Sequence, residues 1–312
     1  MIPEDGARGT GAHLPSMTSR ARTARRRSFL AALVGAFAVS AIALASGSEK
    51  GGGGGKGSGA SNDSGTIQIP AGLSHGVFDD LLKKYVDDKG LVDYEGWKKN
   101  DKDMAALAAY VKKMEPKAPF AEGHEQGASL VNAYNALMIT WVLEKYPVQS
   151  VRSTDNPFEE RRWTIGGRKV SLDDIEKKTL VPLFGYRIHG ALVCAARSCP
   201  PLKQGAYDGD YFIDQLEDGL RRWLSRDDLN SYGGKSGNIE VSHEFKWYKP
   251  DFEKVGGVRA VLLRHAPAEH RKILGDEKVD IVWKEYDWGL NDQKGLGKKY
   301  SKADAVWDAI VN

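Results

Sequence analysis

The segment from Ala128 to Tyr146 constrains the fold of this 312-residue chain more than any other. It repeats apolar residues at helical spacing, and Pro147 ends the pattern because proline lacks the N–H that a helix interior needs. The apolar positions are Leu130, Val131, Tyr134, Leu137, Met138, Trp141, Val142 and Leu143. A helix with so wide an apolar face is buried, so the sequence predicts a central helix covered by other elements.

The rest of the chain predicts an α+β fold, with the central buried helix packed on an antiparallel sheet and flanked by further helices. Helical patterns occupy His75–Val86, Lys102–Met114, a segment capped by Ser171 that runs to Leu180, Tyr207–Leu224, Val258–Ala266 and Lys302–Val311. Strand patterns occupy Gly90–Tyr94, the hairpin Trp163–Val170, Arg187–Cys194, Ile239–Tyr248 and Val279–Tyr286. Helices come first and strands mostly later, which is typical of α+β proteins.

Residues 1–45 have the layout of an export signal. An arginine-rich stretch precedes the apolar run Phe29–Ala45, which ends in the small-residue cleavage pattern Ala43-Leu-Ala. Arg26-Arg-Ser-Phe-Leu30 resembles a twin-arginine signal, so we expect an exported protein, periplasmic or extracellular, that uses this route. Translation is expected to start at Met17. An uncleaved membrane anchor is the alternative, since the run is near the lower length limit of a spanning helix.

A glycine- and serine-rich segment follows the signal region. Residues 46–66 include the unbroken glycines Gly51–Gly55. Such a segment cannot bury apolar surface, so we expect a flexible linker. Residues 67–312 are then expected to form a single domain, with no membrane attachment after signal cleavage. The sequence predicts no particular oligomeric state.

The charge distribution argues against nucleic-acid binding. The chain has 45 Lys and Arg against 42 Asp and Glu. Residues 1–45 hold six arginines and two acidic residues, so the remainder has 39 basic and 40 acidic residues. Nonspecific nucleic-acid binding needs a basic stripe, which a nearly neutral body does not favour. The sequence also lacks a phosphate-binding loop, a nucleophile-elbow serine and a dinucleotide fingerprint, so we expect no cofactor.

Both cysteines of the chain lie within ten residues of a histidine, His189. A thiolate nucleophile needs a nearby imidazole that takes the thiol proton. On a regular strand over Arg187–Cys194, alternate side chains face opposite sides, so Cys194 points away from His189. Cys199 lies in a loop before Pro200 and can return to the histidine's face. The hypothesis is therefore Cys199 as nucleophile and His189 as base, with Cys194 as a small core residue.

Two alternatives for the same residues stay open. In an exported protein, Cys194 and Cys199 can form a disulfide, and the domain would then be a non-catalytic binding module. One histidine and two cysteines can also bind zinc, but a structural zinc site has four ligands and the fourth is unidentified. We therefore predict no metal.

The central helix carries two asparagines, Asn132 and Asn135, spaced to share one face. An asparagine inside an apolar helix is costly unless it is hydrogen-bonded. One interpretation is a buried network that fixes a loop. The other is an orienter for His189 or an oxyanion donor. Asp287 and Asn291, at the end of a predicted strand, are further candidates for the third member of a triad, although turn-forming roles are common for these residue types.

Several motifs, in this order, resemble the domain-of-unknown-function 547 family (DUF547). They are Asn132-Ala-Tyr-Asn-Ala136, Gly167-Arg-Lys-Val-Ser-Leu-Asp-Asp-Ile-Glu176, Arg187-Ile-His189 with Cys194, Ser198-Cys-Pro-Pro-Leu202, Phe245-Lys-Trp-Tyr248 with Asp251-Phe252, and Tyr286-Asp-Trp-Gly-Leu-Asn291. The family is similar in architecture to papain-like and transglutaminase-like cysteine hydrolases. The resemblance implies a thiol hydrolase of the cell envelope or exterior.

His189, Cys194, Cys199, Asn132 and Asn135 fall on positions that match the family pattern, so the resemblance implies that they form the site. The expected function is a cysteine peptidase that cleaves a peptide or isopeptide bond in a peptide or protein substrate. The alternative is an envelope binding module on the same fold, in which the cysteines are structural and Phe245-Lys-Trp-Tyr248 lines a groove.

Overall fold

The computed structural model describes residues 65–295 of the chain. The predicted signal region, the linker up to residue 64 and the predicted helix Lys302–Val311 lie outside the described residues. Within residues 65–295, no helix is both long enough and apolar enough to cross a membrane.

The longest described helix, α4 (Gly123–Lys145), confirms the predicted central helix. Every residue from Gln126 to Ile139 is buried, so all faces of the helix are covered over this stretch. Gly127 lies close to two aromatic rings, since a Cβ there would be 2.4 Å from Phe212 and 2.6 Å from Phe184. This close approach explains why glycine is tolerated within the helix despite its conformational cost.

The neighbours of α4 are mainly helices. Among the described residues, three helices precede it: α1 (Gly76–Tyr85), α2 (Tyr94–Lys98) and α3 (Asp101–Lys112). Seven follow it within the same range: α5 (Leu172–Ile175), α6 (Val181–Phe184), α7 (Phe212–Leu224), α8 (Glu244–Trp247), α9 (Lys249–Glu253), α10 (Gly257–His265) and α11 (Arg271–Leu274). Helix α4 packs against α2, α3, α5 and α7.

Short 3₁₀ and π segments complete the helical part. The 3₁₀ segments are Val151–Ser153, Gly185–Gly190, Gly209–Tyr211 and Ala268–His270, and a π turn, Glu176–Leu180, joins α5 to α6. The predicted helix start at Ser171 is confirmed as a capping box. Ser171 Oγ accepts from the Asp174 N–H at 3.1 Å, and the Ser171 N–H donates to Asp174 Oδ2 at 2.9 Å.

Two small sheets accompany the helices. Strands β1 (Trp163–Ile165) and β2 (Arg168–Val170) form the predicted antiparallel hairpin. Strands β3 (Ser231–Tyr232), β4 (Ile239–Val241) and β5 (Ile281–Trp283) form a second sheet in the order β3-β4-β5. Strand β4 is antiparallel to β3 and parallel to β5, so this sheet is mixed rather than antiparallel. Helices with small sheets are compatible with the predicted α+β class.

Three predicted strands are wrong in whole or in part. Gly90–Tyr94 contains only isolated bridges at Val92, and helix α2 begins at Tyr94. Arg187–Cys194 begins inside the 3₁₀ segment Gly185–Gly190 and continues as irregular backbone. A short apolar run does not distinguish a buried strand from a buried helical turn, which explains the error. Ile239–Tyr248 is a strand only as far as Val241, and helix α8 occupies Glu244–Trp247.

The described apolar core has two clusters. The larger one surrounds α4 and includes residues of α1–α3, the hairpin and the segment Cys194–Cys199, called the cysteine loop. The smaller one joins the end of α7 to β4 and helices α8–α10. Its members include Leu220, Trp223, Val241, Phe245, Phe252 and Leu262. The candidate site is lined by residues of both clusters, such as Tyr134 and Cys199 of the larger one and Tyr248 at the edge of the smaller one.

Candidate functional site

A cavity of about 250 Å³ brings the predicted histidine and both cysteines together. Its walls come from α4, the π turn, the 3₁₀ segment at His189, the cysteine loop, α8 and the segment after β5. They include Tyr134, Glu176, His189, Cys194, Cys199, Glu244, Trp247, Tyr248, Tyr286 and Trp288. The cavity therefore combines thiol sulfur, imidazole, carboxyl and phenol groups on an aromatic wall.

The two cysteines form a disulfide, Cys194–Cys199. This is the pairing that the sequence left open as an alternative. In this form Cys199 cannot act as a nucleophile, because its sulfur is bonded to Cys194. Cys199 is buried and Cys194 is partly exposed. Ala195, next to Cys194, has φ 61°, a strained conformation for a residue with a side chain.

Polar groups surround both sulfur atoms. The backbone N–H of Cys194 donates to Cys199 Sγ at 2.9 Å. The Tyr286 hydroxyl lies 3.3 Å from Cys199 Sγ and 3.2 Å from Cys194 Sγ. The same hydroxyl is 2.6 Å from Glu244 Oε1, and burial raises the pKa of Glu244 to about 8. At neutral pH the carboxyl is therefore mostly protonated and can donate to Tyr286, which leaves the phenol proton free to point at a sulfur.

His189 is paired with a carboxylate that the sequence analysis missed. Its Nε2 lies 3.0 Å from Asp251 Oδ2, and this hydrogen bond lowers the pKa of Asp251 to about 2. The ring stacks on Tyr248 with a centroid separation of 3.9 Å. Asp251 belongs to one of the family-like motifs, but its position 62 residues after the histidine gives no local signal of the pairing.

A second missed residue, Glu176, faces the other nitrogen of His189. Its Oε1 is 4.0 Å from Nδ1. Glu176 is buried, burial raises its pKa, and burial and the charge of Glu176 together raise the pKa of Tyr134 and Tyr248 as well. Glu176 stands among other charged residues, Asp173, Asp174, Lys177 and Lys178, so no local sequence signal marks it as buried.

The two asparagines fix backbone segments. Asn132 exchanges hydrogen bonds of 2.8 Å with the N–H and C=O of Tyr207. Asn135 donates to Ala191 O and accepts from the Val193 N–H, both at 3.0 Å. Asn135 thus holds the backbone between His189 and Cys194. These hydrogen bonds of both amides form the loop-fixing network of the first interpretation, while the roles of orienter and oxyanion donor stay predictions.

Asp287 and Asn291 also make structural contacts. Asp287 Oδ1 accepts from the Gly289 N–H at 2.9 Å, and Asn291 Oδ1 accepts from the Tyr94 hydroxyl at 2.9 Å. The backbone of this segment pairs with the cysteine loop, since the Asn291 N–H donates to Ala195 O at 2.9 Å. The observed partner of His189 is Asp251 rather than either residue.

One group in the described part of the chain has the composition of a metal site. Ligand atoms of Cys194, Cys199 and Glu244 all lie within 4.8 Å of one another. The disulfide engages both sulfurs, so neither is available as a thiolate ligand in this form. His189, the ligand considered from sequence, is not a member of the group.

Residues 120–224 match the model of a protein family described as "Protein of unknown function, DUF547". The match supports the resemblance of this chain to DUF547. It includes His189 and both cysteines, whereas Glu244, Asp251 and Tyr286 lie beyond it. Searches of curated proteins and of solved structures gave no match.

Proposed function

We propose that the protein is an exported thiol hydrolase that cleaves a peptide or isopeptide bond, and that the Cys194–Cys199 disulfide is its inactive form. The observation that carries the proposal is the set of donors around Cys199 Sγ. The Cys194 N–H and the Tyr286 hydroxyl both contact this sulfur. Hydrogen bonds to a thiolate favour its charged form, so the same groups would lower the pKa of the reduced Cys199.

Activation would be a thiol–disulfide exchange with a small thiol. The thiolate of that molecule attacks the sulfur of Cys194, the more exposed of the two cysteines. The S–S bond breaks, and Cys199 leaves with the electron pair as a thiolate beside its two donors. A second molecule of the thiol then displaces the first from Cys194, giving the oxidised small disulfide and a Cys194 thiol.

In the hydrolytic cycle, the Cys199 thiolate attacks the scissile carbonyl carbon and forms a thioester as the amine leaves. His189, held by Asp251, donates the proton that the amine needs. Water then attacks the thioester, gives up a proton to His189 and restores the thiolate. Asp251 takes the role of orienter in this scheme because it is the carboxylate that hydrogen-bonds to the imidazole.

Two matched variants test the proposal with p-nitrophenyl acetate as an acyl donor. Cys194→Ala and Cys199→Ala both lack the disulfide, but only Cys194→Ala keeps the proposed nucleophile. We expect Cys194→Ala to release a burst of p-nitrophenol without added reductant, and the parent to do so only after reduction. Equal bursts from Cys194→Ala and Cys199→Ala would contradict the proposal.

The closed disulfide and the aromatic cavity wall favour a second candidate, a non-catalytic envelope binding module. Trp247, Tyr248 and Trp288 would contact the ligand, and the disulfide would be structural. Under this proposal Cys199→Ser still binds its envelope partner, and the reduced parent acylates no faster than Cys199→Ala. A reduction-dependent burst in the parent would exclude it.

A further inference from the structure

A second cavity, of about 710 Å³, is lined by cations. It lies between α7, the loop before that helix, and the segment from the end of α10 to α11. Five of its lining side chains are basic: Lys203, Arg221, Arg222, Arg264 and Arg271. Asp218 is the single carboxylate among the described lining residues. No residue lines both this cavity and the disulfide cavity.

Three of these cations, Arg222, Arg264 and Arg271, make no ion pair within residues 65–295, whereas the nearby Asp79 offsets part of the Lys203 charge. Arg221 pairs with Asp218 at 3.4 Å. Three of the five cations donate to neutral oxygens: Arg264 to the Tyr186 hydroxyl at 2.8 Å, Arg222 to Pro201 O at 3.2 Å and Lys203 to Ala206 O at 2.9 Å. Neutral acceptors orient a cation without cancelling its charge, so the cavity keeps an attractive field for anions.

Arg222 is not fully hydrogen-bonded by the described residues, and Lys203 is partly desolvated beside it. The Arg222 Nε is buried and has no hydrogen-bond partner in the part of the chain that the structure describes. An unpaired buried donor is costly, and most such groups in proteins are satisfied. Burial and the nearby charge of Arg222 also lower the pKa of Lys203. An anion in the cavity would favour the charged form of Lys203.

The arrangement favours phosphate over carboxylate as the anionic group. A planar carboxylate matches one guanidinium fork, whereas a tetrahedral phosphate can accept from several forks that approach from different directions. Here the guanidinium groups come from α7, α10 and α11. The cavity volume is within the range of small-molecule sites, roughly 300–1,000 Å³. We propose that this cavity binds a small organic molecule that carries more than one phosphate group.

Calorimetric titration of the full chain with inorganic pyrophosphate tests the proposal. We expect saturable binding at one site that weakens as salt is added. The double variant Arg221→Gln, Arg271→Gln changes two exposed side chains, so it is expected to fold. Its affinity should fall by about tenfold or more, since each lost charge-assisted contact is a sizeable fraction of the binding free energy.

Lys272→Gln is the matched control, because Lys272 follows Arg271 on α11 and does not line the cavity. It should bind pyrophosphate as the parent does. A loss in Lys272→Gln as large as in the double variant would overturn the proposal, and so would the absence of saturable binding. Citrate binding as tight as pyrophosphate binding would contradict the choice of phosphate.

Discussion

Replacing Glu244 with glutamine tests whether burial keeps this carboxyl neutral beside the disulfide. Glu244 is 6% exposed, and burial raises its pKa from 4.5 to about 8. A carboxyl with a raised folded-state pKa contributes stability that is fully present below its unfolded pKa and is lost as pH rises through its folded pKa. The shift corresponds to about 5 kcal/mol at about 1.4 kcal/mol for each pKa unit. Glutamine does not ionise, and its amide can replace the protonated carboxyl as the donor to the Tyr286 hydroxyl.

Urea unfolding of the parent and of Glu244→Gln, followed by fluorescence from about pH 4 to about pH 9, measures how the stability due to the neutral carboxyl changes with pH. Relative to the parent, Glu244→Gln should gain up to about 5 kcal/mol of unfolding free energy as pH rises across that range. Glu277→Gln is the control, since Glu277 is exposed and makes no ion pair within the described region. If the free energy of unfolding differed between the parent and Glu244→Gln by the same amount at every pH, the reasoning would be refuted.

The contacts also predict how two further substitutions and reduction of the disulfide change the stability of the protein. Asn135→Ala leaves Ala191 O and the Val193 N–H unpaired, so urea unfolding should show a loss of about 2–4 kcal/mol. Reduction of the disulfide, whose cysteines are five residues apart, should cost about 2 kcal/mol and lower Tm in calorimetry. Asp251→Asn should destabilise the protein at neutral pH, and acid titration of unfolding should show the deficit fading as pH falls from 3.8 towards about 2.

Local patterns predicted the elements that depend on local interactions. Helix α4 follows from its apolar spacing, and the capping box at Ser171 follows from hydrogen bonds within four residues. The apolar run Arg187–Cys194 does not reveal its conformation locally because tertiary packing decides its backbone. Gly190 lies against α7, where a Cβ would be 3.0 Å from Leu220, and the chain turns there as a 3₁₀ segment.

The sequence predicted only those residues of the candidate site that lie close together along the chain. His189 and the two cysteines are close in sequence, so their proximity in one cavity was foreseeable. Asp251 and Tyr286 reach that cavity from segments far along the chain, and only the tertiary fold brings them together. Glu176 and Glu244 line the same cavity. Acidic residues are usually exposed, and sequence alone does not mark the buried ones.

The most direct test of the proposed thiol chemistry is the pH dependence of iodoacetamide labelling of Cys199 in the Cys194→Ala protein, read by mass. The account predicts fast labelling with an apparent pKa below the free-thiol value of about 8.5, because the residue-194 N–H and Tyr286 stabilise the thiolate. Tyr286→Phe in the same background should raise that pKa. Labelling that titrates at or above the free-thiol value, unchanged by Tyr286→Phe, would contradict the account.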